Sequence, residues 1–284
     1  MPGPSSDPEL PGSGAAPLVI AHRGASDELP EHTLEAYLRA IEDGADGVEC
    51  DVRLSRDGHL VCVHDRRLNR TSNGRGLVRR RTLAELEQLD FGSWHAAEQP
   101  APVLTLETLL GAVRDAGRPL RLLVETKHPT LGGRLIEPTL AELLRKFALD
   151  RPEPGDAVSV TMMSFSPLAL QRMRELAPDV PRVFLMDHLP PGVYPPAVLP
   201  YGAAAGGPGV SLLRARPAIA ERLRRNGNEV YVWTVNDPAD VDLCVRLGVR
   251  AIITDRPGFV RRHLAGGRRT GDDGNGPGAA DSGP

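Results

Sequence analysis

Residues 18–54, LVIAHRGASDELPEHTLEAYLRAIEDGADGVECDVRL, contain the pattern that decides the fold class. Two runs of strand-like composition, 18–22 and 47–54, flank an amphipathic stretch at 34–42. Gly44 follows that stretch, and glycine is favoured just beyond the end of a helix. Apolar strands joined through a helix are typical of a parallel sheet covered on both faces. The segment therefore predicts one βαβ unit of an α/β protein.

The same alternation of strand and helix patterns continues to about residue 264. Strands are predicted at 18–22, 47–54, 120–126, 157–164, 182–186, 209–213, 229–235 and 251–254. Helices are predicted at 34–42, 106–116, 135–147, 168–176, 217–225 and 239–247. Eight strands within 284 residues favour a closed TIM (β/α)8 barrel over an open doubly wound sheet, because such barrels typically take about 250 residues.

The domain organisation is predicted from breaks in this rhythm. One barrel domain covers 18–264, and a small insertion at 65–103 follows the second strand, where turn signals such as Asn73-Gly74 interrupt the pattern. Such a long excursion is typically functional, so we expect it on the active-site face. The terminal segments 1–17 and 265–284 are rich in proline, glycine, serine and aspartate and are predicted to be disordered tails.

Composition disfavours several classes of partner. A net charge of −3 without a basic block or basic amphipathic helix gives no support to nucleic-acid binding or to membrane insertion. No signal peptide or bilayer-spanning run is recognisable, so a cytoplasmic protein is expected. Cys50, Cys62 and Cys244 lack CxxC spacing, which predicts buried thiols in a reducing compartment. The sequence carries no signal for an oligomeric state.

Three acidic residues at predicted strand ends indicate a metal site. Glu49 and Asp51 share one face of their strand, since side chains alternate across a strand. Two like charges on a covered face are costly unless a positive charge lies between them. A divalent cation, Mg²⁺ or Ca²⁺, would satisfy both, and Glu125 on the next predicted parallel strand can supply a third carboxylate. A solvated strand edge is the alternative interpretation.

Basic and aromatic side chains at the same predicted edge suit a phosphate-containing small molecule. Arg23 could hold a phosphate with its two-pronged guanidinium group. Lys127 is one of two lysines among 34 basic residues, which favours a need for a compact ammonium group over a chance survivor. Trp233 is predicted either to stack on a glycerol or head group or to close the barrel mouth.

His22 and His64 come at the exits of apolar runs, on either side of Glu49 and Asp51 along the chain. A single histidine would more often be packed or solvated, but two at such positions favour general acid–base catalysis. The other six histidines receive no such assignment from their surroundings.

Several motifs in order resemble those of the glycerophosphodiester phosphodiesterase family over residues 18–262: HRGASDELPEHTLEAY, ADGVECDVRLSRDGHLVCVHD, LLVETK, VYVWTVND and IITDRP. The resemblance implies a TIM barrel whose catalytic histidines are His22 and His64. It further implies metal ligands at Glu49, Asp51 and Glu125 and phosphate contacts at Arg23 and Lys127. His32 stands where the family usually has asparagine, a difference expected to affect metal affinity or pH response.

The resemblance implies hydrolysis of glycerophosphodiesters to glycerol 3-phosphate and an alcohol such as choline or ethanolamine. The glycerol hydroxyl of the substrate is the implied attacking group, and it gives a cyclic phosphate that water then opens. Two alternatives use the same residues: a lysophospholipase-D-like activity, mildly disfavoured by an aromatic content of 4%, and a barrel that binds phosphorylated ligands without cleaving them. A metal amidohydrolase is disfavoured because the first strand does not end in HxH.

Overall fold

The computed structural model describes residues 16–129, 136–153, 155–189 and 198–267. Over these residues, eight parallel strands close into a barrel, in the order β1-β2-β4-β5-β6-β7-β8-β9 and back to β1. The short strand β3 pairs antiparallel with β2 outside this ring. The strands are β1 Leu18–His22, β2 Gly47–Leu54, β3 Leu60–Cys62, β4 Leu120–Thr126, β5 Val158–Ser164, β6 Arg182–Met186, β7 Ala205–Pro208, β8 Glu229–Val232 and β9 Ala251–Thr254. The TIM barrel predicted from the sequence is confirmed.

The helices cover the outside of the barrel. They are α1 Leu34–Glu42, α2 Leu83–Leu86, α3 Leu106–Arg114, α4 Ile136–Lys146, α5 Pro167–Leu176, α6 Val210–Ala215, α7 Ala218–Arg225, α8 Pro238–Arg246 and α9 Pro257–Gly267. Helix α1 begins where the Thr33 hydroxyl accepts a hydrogen bond from the Ala36 amide, the usual role of threonine at a helix start. Within the described ranges, no helix combines the length and the apolar character needed to cross a membrane.

Two apolar layers follow from the alternation of side chains along the strands. On β2, Val48, Cys50 and Val52 are fully buried in the large core between the strands and the helices. A smaller core inside the barrel contains Ile20 and Leu123, together with residues of β5, β6, β7, β8 and β9. Residues that alternate with the helix-facing set therefore point into the barrel, and those at the carboxyl ends of the strands surround its mouth.

The prediction of the sixth barrel strand, which is β7 in the structure, was wrong. Residues 209–213 were predicted to be that strand, but they form the entry to α6, and β7 is Ala205–Pro208 immediately before it. A short apolar run does not distinguish a strand from a buried helix by periodicity. The true strand reads as a loop because it contains Gly206 and Gly207. Each lies so close to a leucine side chain that an added Cβ would come within 2.7 Å of it.

The predicted insertion, 65–103, has a compact structure of its own. It contains a 3₁₀ turn at Val78–Arg80 and the single-turn helix α2. Its apolar side chains pack with those of the preceding segment in a separate small core made of Val61, Val63, Leu68, Val78, Leu86, Phe91 and Val103. Helix α9 continues to Gly267, past the predicted end of the barrel domain at residue 264. Of the two predicted disordered tails, residues 16, 17 and 265–267 are described. The rest of both tails lies outside the described residues.

Candidate active site

Three carboxylates converge at the barrel mouth. Glu49 and Asp51 point inward because they alternate with helix-facing residues of β2, and the strand register places Asp51 opposite Glu125 on β4. Oxygen atoms of all three side chains lie within 4.8 Å of one another. The residues are only 1%, 1% and 8% exposed, respectively, so water cannot screen their charges. This separates the cluster from an ordinary solvated strand edge.

Burial and mutual repulsion shift the ionisation of the cluster. The pKa of Glu49 is raised well above its usual range by burial and by the charge of Asp51, and the same two causes raise the pKa of Glu125 to about 7. Burial also opposes ionisation of Asp51, but a hydrogen bond from His32 and the charge of Lys127 hold its pKa well below the usual range. One carboxylate is thus strongly charged, while the other two resist ionisation.

Two basic side chains neutralise part of this charge. Lys127 Nζ lies 2.7 Å from Glu125 Oε1 and 3.2 Å from Asp51 Oδ1. Arg23 Nε lies 3.0 Å from Asp51 Oδ2. Together they would balance two of the three negative charges that full ionisation gives, and a divalent cation on the carboxylate oxygens fits the donor set of the cluster.

His32 supports Asp51 from below the mouth. Its Nε2 atom donates to Asp51 Oδ2 at 3.0 Å, and its Nδ1 atom lies 2.8 Å from the Tyr37 hydroxyl group. The residue is 6% exposed, and burial, its largest influence, lowers its pKa. Both ring nitrogen atoms of His32 are therefore engaged in polar contacts within the protein.

His22 is held by a carboxylate on the far side of its ring. Its Nδ1 atom donates to Asp255 Oδ1 at 2.7 Å, while its Nε2 atom faces the cluster, 4.0 Å from Glu49 Oε2. Asp255 also accepts hydrogen bonds from Asn236 Nδ2 at 2.7 Å and from the Ser26 hydroxyl at 2.9 Å. Although burial opposes it, these donors lower the pKa of Asp255 to about 2. The charged carboxylate fixes both the orientation and the tautomer of His22.

His64 is oriented in a similar way. Its Nδ1 atom donates to Asp65 Oδ1 at 2.7 Å, and its backbone carbonyl accepts from the Arg53 guanidinium at 2.9 and 2.6 Å. Burial is the main cause that lowers the pKa of His64 to about 4, against the opposing charge of Asp51. The imidazole is therefore neutral at pH 7. Asp65 is itself bound by Arg70 Nε at 2.9 Å.

Arg70 braces the insertion against the loop after β1. Its Nη1 and Nη2 atoms donate to the two oxygens of Glu31 at 2.7 and 2.8 Å. Glu31 also accepts from Arg23 Nη1 at 3.1 Å. Burial opposes the charge on Glu31, but the hydrogen bonds from Arg70 lower its pKa to about 2. A continuous series of ion pairs thus joins the insertion to the carboxylate cluster.

Trp233 lies across the mouth from the cluster, because β8 stands opposite β4 in the ring of strands. Its indole Nε1 atom donates to the Gly207 carbonyl at 2.8 Å, and its ring meets the Phe165 ring edge-on at a centroid distance of 5.4 Å. The structure thus brings seven of the eight predicted site residues to one side of the mouth, whereas Trp233 lies on the other. The seven are His22, Arg23, Glu49, Asp51, His64, Glu125 and Lys127.

The two carboxylates that bind the Nδ1 atoms of the histidines were not predicted from the sequence. Asp255 and Asp65 were present only as letters of the quoted motifs IITDRP and VHD. Their positions at strand exits were the available signal. Asp65 directly follows His64, but the function of Asp255 as a partner of His22 could not be read from spacing, since the two residues are 233 positions apart.

Comparison with known proteins agrees with this geometry. Residues 22–259 match the model of the glycerophosphoryl diester phosphodiesterase family. A protein of Mycobacterium tuberculosis named "Probable glycerophosphodiester phosphodiesterase 1" is 46% identical over 261 residues, which cover 90% of this chain and 95% of that protein. The chain belongs to the glycerophosphoryl diester phosphodiesterase family.

Other proteins are less similar in sequence but also match over most of their length. The glycerophosphodiester phosphodiesterase of Caldanaerobacter subterraneus is 32% identical, with 84% of this chain and 94% of that protein aligned. The solved structure of an Oleispira antarctica phosphodiesterase in complex with the product sn-glycerol-3-phosphate is 27% identical, with a TM-score of 0.71. That alignment covers 88% of this chain and 97% of the other. The family resemblance seen in the sequence motifs is therefore confirmed.

Proposed function

We propose that this family member is a metal-dependent hydrolase that cleaves glycerophosphodiesters to glycerol 3-phosphate and an alcohol, with His22 and His64 as its general acid and base. The observation that carries the proposal is the buried trio of carboxylates at the barrel mouth, beside two imidazoles that are each oriented by an aspartate. Membership of the family supports the reaction class.

Glu49, Asp51 and Glu125 would hold the divalent cation, Mg²⁺ or Ca²⁺. The pKa values of Glu49 and Glu125 are raised because three carboxylates are buried close together, which disfavours their charged forms. A bound cation would stabilise those charged forms. When bound, such an ion supplies positive charge that stabilises the additional negative charge of a phosphoryl transition state.

The side chains of the chain itself have complementary tasks. Arg23 and Lys127, buried beside the carboxylates, would bind the phosphate oxygens and orient the diester. One imidazole would accept the proton of the attacking oxygen, proposed to be the substrate's own glycerol hydroxyl group, while the other donates a proton to the departing alcohol. Water would then open the resulting cyclic phosphate to give glycerol 3-phosphate. Each ring keeps its Nε2 atom available for this transfer because its Nδ1 atom is bound to an aspartate.

Asp255→Asn tests how much the orientation of His22 matters. Both oxygens of Asp255 accept hydrogen bonds, from His22 and Ser26 at one and from Asn236 at the other. In asparagine an NH₂ group, which is a hydrogen-bond donor, replaces one of these oxygens. That group would then face a donor from His22 and Ser26 or from Asn236. We expect kcat to fall roughly 10- to 100-fold, with a smaller change in KM. Steady-state kinetics on a purified, folded variant is the measurement.

Asp242→Asn is the matched control for this variant. Asp242 also accepts from a histidine, His263, at 2.8 Å, but on the outer helices α8 and α9. The control variant should keep the kcat of the unmodified protein. An unchanged kcat in Asp255→Asn would mean that His22 does not depend on its carboxylate partner.

A reducing, cytoplasmic setting is also part of the proposal. Cys50, Cys62 and Cys244 are buried free thiols. The first two lie on the paired strands β2 and β3, where burial and then the Cys62 thiol raise the pKa of Cys50. Neighbouring thiols that remain reduced are typical of proteins from reducing compartments.

Phosphorus NMR on a series of diesters is the direct experiment for the proposed activity. The series contains glycerophosphocholine, glycerophosphoethanolamine, glycerophosphoglycerol and lysophosphatidylcholine, each with Mg²⁺ or Ca²⁺. We expect the signal of glycerol 3-phosphate to appear from the glycerophosphodiesters. Cleavage of lysophosphatidylcholine alone would favour the lysophospholipase-D-like alternative, and binding without any product would favour the non-catalytic barrel.

A further inference from the structure

The half of the barrel mouth opposite the carboxylate cluster has a chemistry of its own. Met163, Leu185 and Tyr231 belong to the core inside the barrel. Phe165, Asp187 and Trp233 directly follow the last residues of β5, β6 and β8, which places them at the rim of the mouth. We refer to these three residues, with Gly209 of the intervening segment, as the β5–β8 wall.

The members of the β5–β8 wall adjoin one another. A Cβ atom placed on Gly209 would lie 3.5 Å from Cζ2 of Trp233 and 3.4 Å from Oδ1 of Asp187. The indole therefore lies against the backbone of Gly209 with the carboxylate at the same point. Phe165 meets the indole at an interplanar angle of 89° and is 41% exposed, unusual for a phenylalanine.

The carboxylate of the wall is open to solvent. The Asp187 side chain is 50% exposed, and its ion pair, at 3.2 Å, is with His188, whose own side chain is 92% exposed. An ion pair so exposed contributes little, so a ligand cation can compete for the carboxylate. The wall consequently offers aromatic surface and one negative charge to a molecule that enters the mouth.

The wall also lies where one end of the substrate must go. Arg23 and Lys127, the proposed phosphate ligands, lie beside the carboxylate cluster on the side of β1, β2 and β4. If the phosphate of a diester is bound there, its two esterified groups extend away from the carboxylate cluster. One of them would then reach the opposite rim, which is the β5–β8 wall. A neutral polyol would require several hydrogen-bond donors and acceptors, whereas two aromatic rings and a carboxylate complement an organic cation.

We infer that the β5–β8 wall binds a cationic alcohol group of the substrate, so that the enzyme favours choline and ethanolamine esters over neutral ones, with Asp187 as the residue that determines this specificity. The inference rests on the proposed function, since it assigns the alcohol side of the same reaction. The ring faces of Trp233 and Phe165 would contact the ammonium group, and Asp187 would supply the opposite charge.

Asp187→Asn is the decisive variant because it removes the charge and keeps the shape. The measurement is kcat/KM on glycerophosphocholine, glycerophosphoethanolamine and the neutral glycerophosphoglycerol. We expect a loss of roughly 3- to 10-fold on the two cationic substrates and less than about twofold on the neutral one. Phe165→Leu should produce the same selective loss on the choline ester, since it removes aromatic surface without removing charge.

Glu221→Gln is the matched control for long-range electrostatics. Glu221 is an exposed carboxylate on the outer helix α7, paired with Arg225, and its neutralisation changes the net charge by the same amount. This variant should leave all three values of kcat/KM unchanged. Circular dichroism and thermal melting would establish that each variant is folded.

The outcomes separate this inference from the proposed function. An equal loss on all three substrates in Asp187→Asn would assign the residue to the glycerol end and overturn the inference, and so would the absence of any loss. In both cases the unmodified protein still hydrolyses the diesters and the proposed function stands. An unmodified protein that hydrolyses none of the three substrates would overturn the proposed function and, with it, the assignment of the wall.

Discussion

His22→Ala and His64→Ala are each expected to lower kcat by roughly 10²- to 10⁴-fold, the contribution typical of a general acid or base. An aspartate binds the Nδ1 atom of each imidazole, and Nε2 of His22 lies 4.0 Å from Glu49 Oε2. Without the ring, the proton of the attacking or departing oxygen has no positioned partner. Because the proposed steps belong to one reaction, the double variant should lose less than the product of the two single losses.

The fold should survive both changes. The His22 and His64 side chains are 15% and 34% exposed at the mouth, outside the apolar cores, so their removal leaves little cavity. His263→Ala on the outer helix α9 is the matched control and should keep full activity. Full activity in either mouth variant, with thermal melting unchanged, would remove that histidine from the mechanism.

Chelation is the second prediction with a large effect. We expect removal of divalent cations to abolish hydrolysis, by about 10²-fold or more, and addition of Mg²⁺ or Ca²⁺ to restore it. The physical reason lies in the carboxylate trio, whose charge repels an anionic diester unless a cation offsets it. Rates would be measured on glycerophosphocholine before chelation, after chelation and after each cation is returned.

Calorimetric titration of the metal-free protein gives a readout that does not depend on turnover. Glu125→Gln should weaken cation binding by at least about 10-fold, since it removes one of three buried charged oxygen donors. Glu107→Gln is the control, because Glu107 is an exposed carboxylate on α3 that pairs with Lys146. Hydrolysis that is indifferent to chelator, together with no measurable binding of either cation, would contradict the assignment of the carboxylates.

The pattern of Leu18–His22, Leu34–Glu42 and Gly47–Leu54 was predicted to the residue because each element carries its own periodicity. Strand β7 was missed because its local sequence, with two glycines, carries no strand signal. Strand positions 206 and 207 are glycine, a residue that disfavours strands locally, because the side chains of Leu223 and Leu185 leave no space for a Cβ atom there. Steric fit between distant segments leaves no periodic signal in the local sequence.

The amino-acid sequence by itself determined the barrel and the inward-facing Glu49, Asp51 and Glu125, since alternation along a strand is a local property. The tertiary structure alone decided that Asp255 holds the imidazole of His22 and what lies opposite the carboxylates, whereas Asp65 is the sequence neighbour of His64. Closure of β1 against β9 brings Asp255 to His22, and the ring order of the strands brings Asp187 beside Trp233. Hydrogen bonds and contacts between residues far apart in sequence depend on that closure, which no local pattern encodes.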